Sequence, residues 1–217
     1  PWGSPEPQEH TVQSRPLAVD GAWEITPRVH RDERGAFLEA FKATALEEAT
    51  GRAFPVAQVN TSVSAAGVVR GIHFTAVPPG QAKYLTCTRG AVLDVVVDLR
   101  VGSPTFGSWD AVRLDDVERR AVLIAEGLGH AFCALTDEAT VTYLCSTPYA
   151  PAIEHAVNPF DPELAIAWPS HGADGRPLEW LTSPRDAAAP SLAEAREAGI
   201  LPELERVEAH WSSLRVG

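Results

Sequence analysis

An arginine and a histidine interrupt an otherwise apolar run in the first half of the chain, the segment Gly67–Phe74. Arg70 supplies a fixed positive charge, and His73 carries an imidazole whose ordinary pKa of about 6.5 suits it to proton transfer near neutrality. The run around them predicts a β-strand, which is a rigid mount for a reactive side chain. Taken alone, His73 is explained equally well as a structural histidine at a strand end.

Four later segments also carry polar side chains of reactive types, and they favour a functional site over a single structural histidine. The segments are Gln81–Lys83, Gly129–Phe132, Val141–Tyr143 and Ser183–Asp186. Together they contain a lysine, a second histidine, a tyrosine and an aspartate, which are types that transfer protons or stabilise developing charge.

Length and composition are those of one globular domain with a single buried core: 217 residues, 45% hydrophobic and 22% charged. The formal net charge of -11 disfavours non-specific binding to nucleic acid or to an anionic membrane. No stretch is long and apolar enough to span a bilayer, and no signal-peptide pattern is found. We therefore expect neither a nucleic-acid partner nor a membrane partner.

The three cysteines, Cys87, Cys133 and Cys145, lie in apolar strand-like runs and lack the spacing of metal ligands. We expect them to be buried free thiols in a cytoplasmic protein rather than nucleophiles. The segment Pro1–Gln13 is interpreted as a tag or a disordered lead-in, so that residues 14–217 form the single domain.

Short β-strands separated by turns are predicted from Leu17 to Val157. The strongest is Ala91–Asp98, in which leucine and valine alternate onto one dry face while two carboxylates lie among valines on the other. Two further β-branched runs cover residues 121–125 and 139–146. The strand pattern over about residues 17–170 predicts an all-β sandwich or barrel, and periodicity alone does not choose between the two.

Helices are predicted at three places. Thr44 and Glu47 indicate a capping box for a helix that ends at Gly51. Ser191–Glu194 indicates a second capping box, which opens the first of two helical patterns in a C-terminal tail over about residues 186–212.

The spacing of Arg70 and His73 raises a problem for a shared site. Residues three positions apart point to opposite faces of an ideal strand. Gly71, which lies between them, permits a β-bulge that would turn both side chains to one face. Without such a bulge the two residues cannot serve one site within a subunit.

A series of short segments, in order along residues 16–195, matches one family. They are Arg31–Gly35, Gln58–Asn60, Arg70–Phe74, Gln81–Lys83, Ser103–Gly107, Gly129–Phe132, Tyr143, Tyr149, Asp161–Pro162, Trp168–Pro169 and Asp186–Pro190. Together they resemble the dTDP-4-keto-6-deoxyglucose 3,5-epimerases, which have a cupin-like β-jelly roll. Ile72, Thr75 and Val77–Tyr84 are most similar to the antibiotic deoxysugar branch, which includes the noviose pathway of novobiocin.

The resemblance implies an epimerase that acts on dTDP-4-keto-6-deoxy-D-glucose without a cofactor. A hydrogen next to the 4-keto group is acidic because its loss gives an enolate, so inversion needs a base on one face and an acid on the other. By resemblance His73 is the base, Asp186 its partner carboxylate and Tyr143 the acid. Lys83 and His130 are implied to stabilise the enolate.

The resemblance implies a second set of residues that bind the substrate. Arg34 and Arg70 match cations that pair with the diphosphate, for which the guanidinium fork is well suited. Tyr149 matches a residue that stacks on the nucleotide. The remaining positions that match substrate contacts are Glu39, Gln58, Asn60, Glu154 and Arg185. Asp94 is added to this set, although a structural role explains it as well as a functional one. Each of these residues other than Asp94, taken singly, is more simply explained as a solvated surface residue.

Three further expectations concern metals, assembly and alternatives. Cupin metal sites commonly use a His-x-His pair, which is absent here because Phe74 and Thr75 follow His73, so we expect no metal. By resemblance the protein is a homodimer in which N-terminal strands cross between subunits, Trp23–Val29 being a candidate. The antibiotic branch favours inversion at C-3 alone; the alternatives are a 3,5-double epimerase and a non-catalytic nucleotide-sugar-binding cupin.

Overall fold

The computed structural model describes residues 12–215, and short β-strands account for most of its regular structure. The strands are β1 (Gln13–Pro16), β2 (Ala22–Thr26), β3 (His30–Asp32), β4 (Gly35–Phe37), β5 (Gln58–Ser64), β6 (Val69–Thr75), β7 (Lys83–Arg89), β8 (Ala91–Asp98), β9 (Trp109–Asp115), β10 (Ala121–Ile124), β11 (Leu128–Ala134), β12 (Ala139–Cys145) and β13 (Glu154–Ala156). The helices are α1 (Ala43–Thr50), α2 (Pro184–Ala187), α3 (Leu192–Glu197) and α4 (Leu204–Ser213).

Two antiparallel sheets face each other. The larger has six strands in the order β1-β2-β10-β7-β12-β5, and the smaller has five in the order β13-β6-β11-β8-β9. Strands β3 and β4 form a separate hairpin. This arrangement confirms the predicted all-β fold with a small helical tail.

The main core fills the space between the two sheets. Leu85 and Val141 contribute from the six-stranded sheet, and Val92, Val96 and Phe132 contribute from the five-stranded sheet. A second cluster covers the outer face of the five-stranded sheet, where Val95 and Val97 of β8 pack under the C-terminal segments. The dry face of β8 packs outward against this second cluster, and the face that carries Asp94 and Asp98 is buried as well.

Helix α1 begins two residues earlier than predicted. Its N-cap is Lys42, which makes no side-chain capping bond, so Thr44 and Glu47 lie inside the helix and the predicted capping box is wrong. The predicted end is confirmed, because Gly51 adopts a left-handed φ of 67° and its N–H donates to the Glu47 carbonyl. The Ser191–Glu194 capping box is also confirmed.

The N-terminal part of the chain follows the expectation only partly. Residues 1–11, most of the segment interpreted as a tag or lead-in, lie outside the described residues. Gln13, assigned to the same segment, instead opens β1 opposite Thr26. Strand β2, within the candidate crossing segment Trp23–Val29, pairs with β1 and β10 of its own chain.

The three cysteines are buried and free, as predicted. Burial raises the pKa of Cys87 and of Cys133 to about 11, which suits packing residues rather than nucleophiles. Among residues 12–215, no helix has the length and apolar character needed to cross a membrane.

Candidate active site

A β-bulge in β6 brings Arg70 and His73 to the same face. His73 lies opposite His130 of β11, whereas Arg70 lies opposite Phe132, so three residue steps on β6 match two on β11. Gly71 makes this possible because its φ is 113° and because a Cβ there would lie 2.4 Å from the His130 carbonyl oxygen. The bulge predicted from spacing is confirmed, and both side chains line one open depression of about 410 Å³.

His73 is held by Asp186. Its Nε2 lies 2.7 Å from Oδ1 of Asp186, a carboxylate that is 4% exposed. Burial by itself raises the pKa of Asp186, but the bond to His73, with smaller contributions from the Gly71 N–H and Ser183, leaves that pKa below its usual value. Because an ionised carboxylate can only accept a hydrogen bond, Nε2 of His73 carries the N–H, and the lone pair of the neutral ring lies on Nδ1.

A short helix places Asp186 beneath the imidazole. Ser183 is the N-cap of α2 and accepts the Asp186 N–H at 3.1 Å, while Pro184 occupies the first helical position. Both residue types suit those positions, since serine satisfies an N-terminal donor and proline needs none. The Gly71 N–H also donates to Oδ2 of Asp186 at 3.5 Å, so the bulge and the helix meet at one carboxylate.

A second histidine–aspartate pair lies beside the first. Nε2 of His130 is 2.8 Å from Oδ2 of Asp94, which is 1% exposed. Oδ1 of Asp94 is buried and finds no hydrogen-bond partner among the described residues. The pair gives Asp94 a definite role in orienting His130.

Lys83 and Tyr143 approach from the opposite sheet. Lys83 of β7 lies opposite Cys145 of β12, and Tyr143 lies two positions before Cys145 on the same inward face. Burial lowers the pKa of Lys83, an effect that Glu154, Cys145 and Asp94 partly oppose. Burial raises the pKa of Tyr143, which keeps its hydroxyl protonated at neutral pH.

Amide side chains of β5 continue the same inward face. Nε2 of Gln58 donates to Oδ1 of Asn60 at 2.8 Å, and Nδ2 of Asn60 donates to Sγ of Cys145 at 3.7 Å. The backbone N–H of Tyr149 donates to Oε1 of Gln58 at 2.9 Å. The Tyr149 ring itself is 54% exposed, so it is free to meet a ligand.

Cations and one more carboxylate surround the depression. Arg70 is anchored by bonds from Nε to Oγ of Ser64 at 3.1 Å and from Nη2 to the Val63 carbonyl at 3.3 Å. Arg185 lines the same depression. Glu154 of β13 lies opposite Thr75, the residue two positions after His73, and is half-buried.

Arg34 and Glu39 are not brought into this site. Arg34 is in the turn of the β3–β4 hairpin, where it pairs with Asp32 and its side chain is 85% exposed. Nη2 of Arg31, in β3, donates to the Val117 carbonyl at 2.8 Å, and this bond ties the hairpin to the loop after β9. Glu39 pairs with Lys42 at 3.4 Å.

The hairpin lies at the far end of β7 from Lys83. The loop after β9, to which the hairpin is bonded, is in turn bonded to the C-terminal end of β7, since Nη1 of Arg119 donates to the Thr88 carbonyl at 3.0 Å. At about 3.3 Å per residue, the two ends of β7 are roughly 20 Å apart. Within one chain, Arg34 and His73 therefore do not share a site.

Sequence reasoning missed two supporting residues. Ser183 was part of a recognised motif but received no role, although Ser-Pro before a short helix is a recognisable N-cap and first-position pattern. Ser64 holds Arg70 from a neighbouring strand, and no local pattern indicates that pairing. Among residues 12–215 no three histidine, cysteine, aspartate or glutamate side chains cluster as metal ligands would.

Taken together, the geometry places an imidazole and a phenol on opposite walls. His73 comes from the five-stranded sheet and Tyr143 from the six-stranded sheet, and the inner faces of the two sheets face each other. His130 lies on the same inner face as His73, and Lys83 lies on the same inner face as Tyr143. This arrangement suits removal of a proton from one face of a substrate and its return to the other.

Known proteins are similar to this chain in sequence and in fold. The family described as dTDP-4-dehydrorhamnose 3,5-epimerase matches residues 16–194. A dTDP-4-dehydrorhamnose 3-epimerase of Streptomyces niveus is 60% identical over 198 residues, which cover 91% of this chain and 92% of the relative. A dTDP-4-dehydrorhamnose 3,5-epimerase of Mycolicibacterium smegmatis is 56% identical over 204 residues, which cover 94% and 98%.

One similar solved structure is NovW, a 4-keto-6-deoxy sugar epimerase from the novobiocin biosynthetic gene cluster of Streptomyces spheroides. It aligns with a TM-score of 0.84 at 59% identity and covers 90% of this chain and 95% of its own. The fold and these relatives define a carbohydrate epimerase, an isomerase with a cupin-like β fold. The chain belongs to the dTDP-4-dehydrorhamnose 3,5-epimerase family, and the predicted resemblance to its antibiotic branch is confirmed.

Proposed function

We propose that this enzyme inverts C-3 of dTDP-4-keto-6-deoxy-D-glucose by removing and returning a proton, without a cofactor. The observation that carries the proposal is the position of His73, oriented by Asp186, on one wall of the cleft while Tyr143 stands on the other. Because C-3 is next to the C-4 carbonyl, loss of its proton gives an enolate.

The first step is removal of the C-3 proton by Nδ1 of His73. The electrons of the C-3–H bond form a double bond between C-3 and C-4, and the carbonyl oxygen becomes negative. Asp186 supports this step, because its carboxylate stabilises the positive imidazolium that forms. A base oriented in this way contributes on the order of 100-fold to 10,000-fold in rate.

The enolate oxygen is stabilised by Lys83 and His130. Lys83 is nearly fully buried, and a donor fixed in a site poor in water stabilises developing charge more strongly than water does. With Nε2 bonded to Asp94, His130 donates from Nδ1 as an imidazolium, whose charge the Asp94 carboxylate balances. Both groups are in place before the reaction begins. Neither has to reorganise as the charge develops.

The second step is delivery of the hydroxyl proton of Tyr143 to the opposite face of C-3. The C-3–C-4 double bond is lost, the carbonyl returns, and Tyr143 is left as a phenolate that solvent reprotonates. The raised pKa of Tyr143 keeps the donor loaded at neutral pH. The same acid and base are able to act at C-5, so a 3,5-double epimerase is the alternative that the family description supports.

The nucleotide is proposed to bind at the rim of the depression. Arg70 and Arg185 would pair with the diphosphate, since both line the depression and Arg70 is held in place by Ser64. Tyr149 presents an exposed ring on which the base would stack. Gln58, Asn60 and Glu154 complete the substrate-binding set.

A homodimer would explain the position of Arg34 and Glu39. The β3–β4 hairpin is exposed along its length, and the Phe37 ring at its end is 69% exposed. We propose that the hairpin and the residues after it reach the site of a second copy, where Arg34 pairs with the diphosphate. This replaces Trp23–Val29 as the crossing segment, because β2 pairs within its own chain.

Two variants test the reaction. His73→Ala should lose both inversion and hydrogen exchange with solvent, because the base is gone. Tyr143→Phe should keep exchange at C-3, through His73 alone, while inversion is lost. Full activity in His73→Ala would contradict the mechanism, and dTDP-sugar binding without exchange in the unaltered enzyme would favour a non-catalytic binding protein.

A further inference from the structure

Asn60 lies directly opposite Tyr143 on the neighbouring strand. Strands β5 and β12 are antiparallel, and their register pairs these two residues. Cross-strand partners have Cβ atoms about 4.5 to 5.5 Å apart, so their side chains share one surface. Burial raises the pKa of Tyr143, and the Arg70 charge and, to a smaller extent, the Asn60 amide act against that rise.

The orientation of the Asn60 amide is fixed by a chain of hydrogen bonds that begins at a backbone donor. The Tyr149 N–H can only donate, so the Gln58 atom that it meets is the oxygen Oε1. The Gln58 nitrogen therefore faces Oδ1 of Asn60, and this turns the Asn60 nitrogen to Sγ of Cys145, two positions after Tyr143 on β12. The chain of donors thus runs from the Tyr149 N–H to the inward face of β12, on which Tyr143 lies directly opposite Asn60.

We propose that Asn60 is a positioning residue for the proton donor Tyr143, and that Gln58 connects it to the Tyr149 segment where the nucleotide binds. This inference rests on the proposed function, in which Tyr143 protonates C-3. The Asn60 N–H holds the Tyr143 hydroxyl in place before the transfer and stabilises the phenolate afterwards.

Asn60→Asp is the sharpest variant. Aspartate has nearly the same shape and still accepts the Gln58 N–H, but it cannot donate to Tyr143. Loss of one hydrogen bond in the second step should slow inversion about tenfold. Deuterium exchange at C-3, which needs only His73, should fall much less than inversion, so that the ratio of exchange to inversion rises. Asn60→Ala removes the donor without adding charge and should give the same pattern.

The experiment measures inversion and C-3 exchange together, by NMR in deuterated water at saturating dTDP-4-keto-6-deoxyglucose. The matched control is Thr61→Ala on the same strand, because the Thr61 hydroxyl meets Thr142 on the outer face. A rise of about tenfold in the ratio of exchange to inversion, in both Asn60 variants and not in the control, supports the inference.

Two outcomes would overturn it. If Asn60 served only to hold the nucleotide, the variants would raise KM and the dissociation constant for dTDP while the ratio of exchange to inversion stayed constant. If it served only to hold the fold, both rates would fall in proportion to folded protein. The unaltered enzyme and Tyr143→Phe distinguish failure of this inference from failure of the proposed function. If the unaltered enzyme shows no exchange at C-3, or if Tyr143→Phe still inverts C-3, the proposed function itself fails.

Discussion

His73 and His130 are direct cross-strand neighbours on β6 and β11, and each is bonded through Nε2 to an aspartate that is almost fully buried. The two pairs differ in access, since the His73 side chain is 35% exposed and the His130 side chain is 10% exposed. The more open imidazole suits proton transfer to and from a bound sugar, and the more enclosed one, with Asp94 as its counter-charge, suits a fixed imidazolium beside the developing enolate.

Ser183→Ala should weaken the base without touching the substrate. The substitution removes the N-cap of α2, which typically costs about 1 kcal/mol, and it loosens Asp186 beneath His73. We expect kcat to fall several-fold with little change in KM, measured by steady-state kinetics. Ser183→Thr keeps the capping oxygen and should retain most of the activity. Equal kcat in the alanine variant and the unaltered enzyme would contradict the role of Ser183.

Lys83→Met should lower activity and raise stability. Removing a fixed cation from the enolate should reduce kcat by about 100-fold or more. Removing a buried ammonium should raise the free energy of unfolding by about 1 kcal/mol at pH 7, as urea denaturation would show. The control is Lys42→Met, at the chain's other lysine, whose side chain is 43% exposed.

The stability difference of Lys83→Met should also depend on pH. The pKa of Lys83 in the folded protein is below the ordinary 10.5, so between that lowered value and 10.5 the unfolded chain binds one more proton. The unaltered protein therefore gains stability as pH rises through this window. The advantage of the methionine variant should shrink toward pH 10.5, and an advantage that grows with pH would refute the explanation.

Gly71→Ala should disrupt the bulge that aligns Arg70 with His73. The new Cβ would meet both an unfavourable φ of 113° and the His130 carbonyl at 2.4 Å, so we expect a loss of more than about 3 kcal/mol or no folding. Gly35→Ala is the matched control, since its φ of 132° is equally unusual but nothing lies within 4 Å. Its loss should be about 1 kcal/mol by urea denaturation. Equal losses of stability in Gly71→Ala and Gly35→Ala would show that close packing at Gly71 is unimportant.

Mixed dimers test whether Arg34 acts on a partner. If it does, a dimer that combines His73→Ala with Arg34→Ala contains one site with both residues intact. When the two variants are mixed 1:1 and refolded, about half of the dimers should contain one subunit of each kind. Because one of the two sites in such a dimer is intact, the mixture should regain about a quarter of the unaltered activity. Each variant alone should be nearly inactive. A mixture that is no more active than its parts would place Arg34 in its own subunit's site or outside the reaction.

Local patterns predicted the elements of the fold well. The alternation of Leu93, Val95 and Val97 predicted β8, and Ser191 with Glu194 predicted the start of α3. The prediction failed at Thr44, because the helix starts two residues earlier at a position without a capping side chain. A capping pattern competes with neighbouring starts that packing favours, and the sequence does not show the packing.

The candidate site was predicted as a list of residues with one contact among them, that of His73 with Asp186, which the resemblance implied and the structure contains. Gly71 indicated the bulge because a spacing of three demanded one. The pairing of His130 with Asp94, and of Asn60 with Tyr143, depends on strand order and register. Those are set by long-range packing of whole sheets, which local periodicity does not reveal. The separation of Arg34 from His73 in one chain was hidden for the same reason.

The most direct test of the proposed reaction is NMR of dTDP-4-keto-6-deoxyglucose incubated with the unaltered enzyme in deuterated water. We predict that deuterium enters at C-3 alone and that the product has the inverted C-3 configuration. Deuterium at both C-3 and C-5, with the L-sugar as product, would contradict the assignment to C-3 and show a 3,5-epimerase. If deuterium enters at neither carbon, proton transfer by His73 and Tyr143 is contradicted altogether.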